Sequence, residues 1–433
     1  MFINLIFIAL FLASYPCWLM ARLPYSQILL FIILGLYALF VLSSQKKILK
    51  VKSFVFSYKG LNILILAILV YLIINGVFLS GGFKNLFITL SSLTKILFFY
   101  LLVLSFGTDV EKVENKILKI SHFLLIFATY FSIVGILLFI LLFIGVNIPS
   151  RELGSVIKVF EGSGYKDFYF LGHAKAIWGD LTPGVGEFVR IQSFFSEPGD
   201  FAFFLGVPIF IALAFINSSA NKILYIIMFL INLVAFLLTL SIVGFISFGI
   251  PLMLLLITAR KKEVGKYLFI AALIFGLFIL IYYTGVYDQI SGSYSFQRMT
   301  RLGSTDQRWA SFVNGINMFI ANPLFGVGFN NQDETLSQYL TLLVDLGIIG
   351  AMLFALFFYL VIKYIIRNIL CSDQAAYPLG RYVSFGFIGN LIWFVFNGGL
   401  FTYYTWFLIG LVVAINYSVG QKMKIRRVRS VNE

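Results

Sequence analysis

Two segments carry side chains that could do chemistry at a membrane surface. The first is RIQSFFSEPGDFAFF, 190–204. Ser196 is placed to cap a helix, and Pro198 fits that helix's first turn, where an N–H has no helical partner. The free N–H groups of such an end attract anions, phosphate included. Arg190 adds a planar, permanently charged fork a few residues upstream. Glu197 and Asp200 are carboxylates beside the same site, although acids in a first turn also offset the helix dipole. The second segment is 295–331, where Arg298, Arg301 and Arg308 cluster at a helix start capped by Ser304 with Gln307. Trp309, Phe312, Val313, Ile316, Phe319 and Ile320 fall on one face of that helix, opposite Ser311, Asn314 and Asn317. This is the pattern of an amphipathic helix lying at an interface and ended by Pro323. Gly326 and Gly328 then mark either a close backbone approach or a turn. The three arginines suit lipid headgroups or a diphosphate. His173, upstream of the first segment, is a further candidate, since histidine is the side chain whose ordinary pKa suits a general base.

The elements around these segments must sit in lipid. The chain has 433 residues, 61% hydrophobic and 12% charged. Apolar runs of about 20 residues recur, long enough to cross ~30 Å of hydrocarbon as helices. They do not alternate as barrel strands would. Spans are expected near 2–20, 25–43, 61–80, 86–106, 120–146, 200–217, 222–239, 241–259, 267–285, 335–362, 382–396 and 400–418, twelve in all. The pair within 222–259 has no polar break beyond Thr239-Leu240-Ser241, and either a tight hairpin or a re-entrant pair returns the chain to its starting side. Phe2–Met20 has no basic region before it and no small-x-small cleavage pattern after it, so it is expected to be an uncleaved first span.

Basic residues orient these spans. The 44–60 loop has five and no acid; Arg260, Lys261, Lys262 and Lys266 follow another span; Lys422, Lys424, Arg426, Arg427 and Arg429 close the chain. All three groups fall on one side, which is expected to be cytoplasmic together with both termini. The net charge of +14 follows mostly from this bias, and nucleic acid is not needed to explain it. The whole of 1–433 then reads as a single transmembrane domain, with 147–199 as the third external loop and 286–334 as the fifth. Eleven of the eighteen acids lie in or at the edge of these loops, so the polar work of the chain is expected outside. Cys17 and Cys371 fall on opposite sides and are not expected to pair. With His122 and His173 the only histidines, no metal site is expected.

Lys95 and Asp345 are the ionisable residues inside spans. Such charges cost at least ~2.5 kcal/mol each at mid-bilayer, so they face protein and pair. Both spans run inward, which puts the two residues at similar depth. They are expected to pair or to share a polar cavity, as a structural pair rather than a proton relay.

The layout resembles the Wzy-type O-antigen polymerases. SFFSEPGDFA at 193–202 is similar to a Phe-x-x-Glu-Pro stretch that precedes a span in such proteins. QRWASFVNGINMFIANPLFGVGFNN, followed by QYLTLLVDLGIIGAMLFALFFYL, is similar to the core shared by O-antigen polymerases and ligases. There an amphipathic helix ends in a Pro-Leu-x-Gly-x-Gly turn, here Pro323-Leu324, Gly326 and Gly328. The next span carries an acid-Leu-Gly-Ile-Ile-Gly pattern, here Asp345-Leu346-Gly347 and Gly350. An Arg followed after about ten residues by Gly occurs at Arg151 and Gly162, but none of Arg298, Arg301 and Arg308 has such a Gly. Ligases usually carry a His ahead of the late span; Asn330-Asn331-Gln332-Asp333-Glu334 stands there instead, which favours a polymerase.

The resemblance implies an all-α polytopic fold of about twelve transmembrane helices. Its two external loops would contain short amphipathic helices, an arrangement like the GT-C membrane glycosyltransferases. It implies an enzyme of the bacterial cytoplasmic (inner) membrane that needs no cofactor, metal or nucleotide. The growing glycan would leave undecaprenyl pyrophosphate for a sugar hydroxyl of an incoming lipid-linked unit. Arg190, Arg298, Arg301 and Arg308 would receive the diphosphates, and Glu197 or His173 the hydroxyl proton. Membrane lipids, a chain-length regulator and a flippase are the implied partners, without nucleic acid. The nearest alternative is an O-antigen ligase. A flippase would place its basic residues along a central cavity and keep its loops short, whereas only Lys95 is a mid-span cation here. A generic solute transporter fits less well still.

Overall fold

Hydrocarbon offers no water to backbone N–H and C=O groups, so apolar runs of this length close their hydrogen bonds internally as helices. The computed structural model describes residues 58–76, most of 89–103, 113–143, most of 191–259, 303–329, 337–371 and 378–432, with the isolated positions 265 and 276. The expected spans at 2–20 and 25–43, and nearly all of 267–285, lie outside the described residues. Among the described residues the extended elements are α1 (Lys59–Ile74), α2 (Val113–Phe143), α3 (Pro198–Ser218), α4 (Lys222–Leu238), α5 (Ile242–Ile257), α6 (Gly303–Ala321), α7 (Gln338–Cys371), α8 (Pro378–Phe396) and α9 (Tyr403–Asn432). Short helical stretches also lie between 89 and 103.

Among the described residues, five helices are long and apolar enough to cross a membrane: Val113–Leu141, Pro198–Ser218, Gln338–Cys371, Pro378–Phe396 and Tyr403–Met423. The protein is a multi-pass, helical membrane protein. The remaining apolar helices α1, α4 and α5 have 16 to 17 residues, about 25 Å at 1.5 Å per residue.

The chain falls into two compact units. Unit 1 comprises Met1–Ser14, Met20–Phe123 and Arg308–Glu433; unit 2 comprises Tyr15–Leu19 and Leu124–Gln307. In unit 1, α7 is central and packs against α1, α8 and α9. Asn368 on α7 donates to the Val412 carbonyl of α9 at 3.1 Å, one of the few polar contacts in an apolar seam. Beyond the apolar part of α9, Lys422 pairs with Glu114 at 2.7 Å.

In unit 2, α3 packs against both α4 and α5. Gly244 is what lets α5 approach, since a Cβ there would meet the Ala202 Cβ of α3 at 2.7 Å. The break between α4 and α5 is made by hydroxyls. Thr239 closes α4 by donating to the Phe236 carbonyl at 2.7 Å, and Ser241 caps α5 by accepting from the Gly244 N–H at 3.2 Å. A buried polar cluster ties α2 to α4. The Asn232 amide donates to Thr129 Oγ1 at 2.9 Å and accepts from the Ser132 hydroxyl at 2.8 Å. Thr129 also donates to the Leu125 carbonyl at 2.9 Å and the Asn232 amide to the Met228 carbonyl at 2.7 Å, so the cluster is tied into both helices.

Candidate functional site

The sequence from Pro323 to Phe329 does something a simple turn would not. Helix α7 is interrupted at Gly347, whose backbone is non-helical at φ 63° and ψ −170°. In an unbroken helix Ile348 N–H would bond the Val344 carbonyl, and Ile349 N–H the Asp345 carbonyl. At the break the 323–328 loop takes both places. The Val327 N–H donates to the Val344 carbonyl at 2.9 Å, and the Gly328 N–H to the Asp345 carbonyl at 3.1 Å. In return Ile348 N–H donates to the Pro323 carbonyl at 2.8 Å and Ile349 N–H to the Leu324 carbonyl at 3.4 Å. Two missing rungs of the helix are replaced by four bonds to the loop. Irregular backbone inside a membrane protein is tolerated where protein satisfies it in this way.

The next orphan is the Leu346 carbonyl, which Gly350 N–H would have reached. The Tyr71 hydroxyl of α1 donates to it instead. Asn75, one residue past the end of α1, clamps the loop from the other side. Its amide donates to the Phe325 carbonyl at 2.7 Å, and its carbonyl accepts from the Phe329 N–H at 2.6 Å. Asn75 is fully buried, so neither bond has water as a substitute.

The glycines of this region now have individual reasons. A Cβ on Gly326 would overlap the Asp345 carbonyl, and one on Gly347 would overlap the Leu324 carbonyl. Both residues also have positive φ, 75° and 63°, where a side chain is disfavoured. Gly350 clears the path of Tyr71, whose Cε1 would lie 2.7 Å from a Cβ there. The Pro-Leu-x-Gly-x-Gly and Asp-Leu-Gly-x-x-Gly patterns are therefore the two halves of one backbone interlock. The expected span at 335–362 is present, but it is two helical pieces held across a joint and it continues to Cys371.

The same end of unit 1 gathers the turn between α8 and α9. Gln338, at the start of α7, accepts from the N–H groups of Gly399 at 3.0 Å and Leu400 at 3.1 Å. The Phe329 ring meets Phe401 edge-on, with centroids 5.0 Å apart, and Phe401 in turn meets Phe354. Loop, broken helix and turn thus form one connected layer. Asp345 lies within it, 3% exposed. Lys95 lies with its nitrogen 5.5 Å from the centroid of the Tyr403 ring, at the start of α9.

Helix α6 leads into this layer over Gly303–Ala321; it begins before Ser304, which therefore lies in its first turn rather than at the expected cap position, and it stops short of Pro323 as expected. Trp309 and Phe312 stack at 5.7 Å, and both are exposed together with Val313 and Ile320. An apolar stripe left open in this way suits a helix lying on lipid. Arg308 is in the second turn of α6.

In unit 2 the approach to α3 is also anchored. Ile191, Ser193 and Phe195 are buried. The Ile191 N–H donates to the Leu238 carbonyl at 3.2 Å and the Ser193 hydroxyl to the Phe131 carbonyl at 2.9 Å. Gly135 leaves the room these residues occupy, since its Cβ would lie 2.9 Å from Ile191 Cγ2. Phe195 stacks on Phe201 at 5.0 Å and packs against Phe131 and Phe204. Ser193 has φ 52°, a left-handed conformation rare for a residue other than glycine. Helix α3 then opens on Pro198, with Asp200 exposed in its first turn.

Arg190, Glu197, His173, Arg298 and Arg301 lie outside the described residues, though Arg190 and Glu197 are chain neighbours of the anchored Ile191 and of Pro198. Sequence reasoning did not single out Asn75, Tyr71, Gln338 or Ser193. Asn75-Gly76 reads as an ordinary turn after an apolar run. The available signal for Gln338 was a lone amide at the start of a span.

A family model described as O-antigen ligase matches residues 227–355, under a third of the chain. The match runs from within α4 into α7 and takes in both halves of the interlock. It relates the chain to the O-antigen ligase and polymerase family. No curated protein sequence matches the chain.

Proposed function

We propose, on the premise that the chain is related to O-antigen ligases and polymerases, that it transfers glycan between lipid-linked oligosaccharides. The site would be the outer face of the cytoplasmic membrane. The observation that carries the proposal is the family match over 227–355, which contains every glycine of the interlock. The long polar segments 147–199 and 286–334 support it, because sugars must be handled in water while their carriers stay in lipid.

In this reading the donor glycan leaves its undecaprenyl diphosphate, and a sugar hydroxyl of the incoming lipid-linked unit takes it. The C1–O bond to the diphosphate breaks and the new glycosidic bond forms. The diphosphate departs with its bonding pair, and the hydroxyl proton goes to a base. Arg190, Arg298, Arg301 and Arg308 are assigned to the departing charge, because fixed cations stabilise it without reorganising. Glu197 is assigned as the base, with His173 second. Twelve spans, cytoplasmic termini and coupling to a chain-length regulator and a flippase complete the proposal.

A ligase is the second reading, favoured by the description of the matching family. The absence of a histidine from Asn330-Asn331-Gln332-Asp333-Glu334 favours the polymerase. Reconstitution of the purified protein with a lipid-diphosphate oligosaccharide as sole substrate decides between them. Stepwise longer products support the polymerase. Product made only when a lipid A–core acceptor is added supports the ligase. Intact substrate moved across the vesicle, with no new linkage, overturns both. Arg190→Ala or Arg308→Ala should abolish long products at normal protein levels; wild-type product lengths would remove that arginine from the mechanism.

A further inference from the structure

Helix α6 is directed from its C-terminal end. From Arg308 onward it belongs to unit 1, together with α1 and α7. Trp309, Phe312, Asn314, Asn317 and Ile320 are exposed round about half of its circumference, at 3.6 residues per turn. Gly315 is its buried position between 309 and 321. Packing along its length therefore does little to set its direction. Its end is held differently. The Asn322 N–H donates to the Met318 and Phe319 carbonyls at 3.2 and 3.1 Å, and the Gly326 N–H to the Asn322 carbonyl at 3.0 Å. Helix thus passes into docked loop without a slack residue between them, and Pro323 fixes one further backbone angle. That loop is bonded to the break in α7 and to both ends of the Asn75 amide.

The length of α6 magnifies whatever happens at that joint. From Arg308 to Ala321 the helix rises about 20 Å, at 1.5 Å per residue. A tilt of about 10° at the joint would carry the backbone of Arg308 through roughly 3.5 Å on that length. A misplacement of ~1 Å made far from the chemistry can cost about a hundredfold in rate. The break in α7 has a purpose in the same terms. An unbroken α7 would offer the loop no open carbonyl or N–H, and only side chains to grip.

Resting on the reading of the preceding section, we infer that the interlock is a positioning device: by clamping the loop to the break in α7, Asn75 sets the direction of α6 and so the place of Arg308 in the transfer. Asn75 is a positioning residue, since its bonds go to the loop backbone at Phe325 and Phe329. Gly347 shares the task, because its positive φ and missing Cβ make the break that receives the loop.

The test uses the full chain in nanodiscs, with Cys17 and Cys371 replaced by serine and nitroxides attached through Ala310→Cys on α6 and Tyr359→Cys on α7, both exposed positions. Pulsed EPR should give one narrow distance distribution when the interlock is intact; a broad one would overturn the inference without any further variant. Asn75→Leu should broaden or shift the distribution by about 3 Å, the displacement expected from the length of α6. Gln338→Leu is the control, since it orphans the Gly399 and Leu400 N–H groups of the same layer and leaves the bonds of the loop in place. Its distribution should stay narrow. An unchanged distribution in a folded Asn75→Leu protein would overturn the inference, and so would equal broadening in both variants, because α6 would then follow a general loosening of the layer. In unlabelled protein, Asn75→Leu should lower kcat about tenfold to a hundredfold with KM within about twofold, as when a group that meets the departing charge is displaced. Normal kcat despite a broadened distribution would refute the positioning role. Wild-type protein that transfers no glycan would instead refute the function proposed above, and the distances would still decide whether the interlock directs α6.

Discussion

The clamp made by Asn75 permits a quantitative test of the interlock. Asn75→Leu keeps the side-chain volume and removes both polar groups. The Phe325 carbonyl and the Phe329 N–H then lose their partners at 2.7 and 2.6 Å. The Phe329 amide is buried with its residue, 3% exposed, so water does not take over. Each group orphaned in this way costs about 1–3 kcal/mol, so the substitution should cost about 2–6 kcal/mol unless the loop opens to rehydrate them. Opening is the cheaper response when the loop's other holds are weaker than that cost. Either way the Phe329 amide should exchange faster. At about 1.4 kcal/mol per factor of ten, the lower bound corresponds to roughly thirtyfold loss of protection. Hydrogen-exchange mass spectrometry on a peptide spanning 322–330 reads this directly. The Gly399 and Leu400 amides, held by Gln338, serve as the internal control and should hardly move. Unchanged exchange at 322–330 in Asn75→Leu would refute the clamp and leave the Phe329–Phe401 ring contact as the anchor. Equal acceleration in both regions would show that the layer opens as one body.

Glycine substitutions should divide by sign. Gly347→Ala places a Cβ on the Leu324 carbonyl at φ 63°, adding about 1–2 kcal/mol of left-handed backbone strain to the loss of loop docking; Gly206→Ala, inside α3 with nothing within 4 Å of its Cβ, should instead gain about 0.5–1 kcal/mol. Thermal unfolding in one detergent checks both, and a Gly347→Ala protein as stable as wild type would contradict the interlock. In unit 2, Asn232→Leu removes the acceptor of Ser132 and the donor to Thr129 and should cost about 0.6–1.7 kcal/mol, the range of hydrogen bonds between membrane helices. Reversible unfolding in lipid measures it, and no loss would mean that the cluster repairs itself within α2 and α4.

The sequence alone determined the membrane class, the helical secondary structure and several helix limits, because these depend on local composition. Hydrocarbon forces any long apolar run into a helix whatever its neighbours are. Pro198 and Pro323 bound α3 and α6 where their chemistry says they must. The grouping of Gly326, Gly328, Gly347 and Gly350 into a motif was also legible, but its cause was not. No local rule says that the loop after α6 will replace two rungs of α7, or that Asn75, some 250 residues away along the chain, will hold that loop. Those are contacts between distant segments, made because a backbone broken inside the membrane must find its hydrogen bonds in protein. Likewise, the position of Lys95 within a span was plain from its neighbours. That it lies beside the positive end of α9 was decided by how the helices pack.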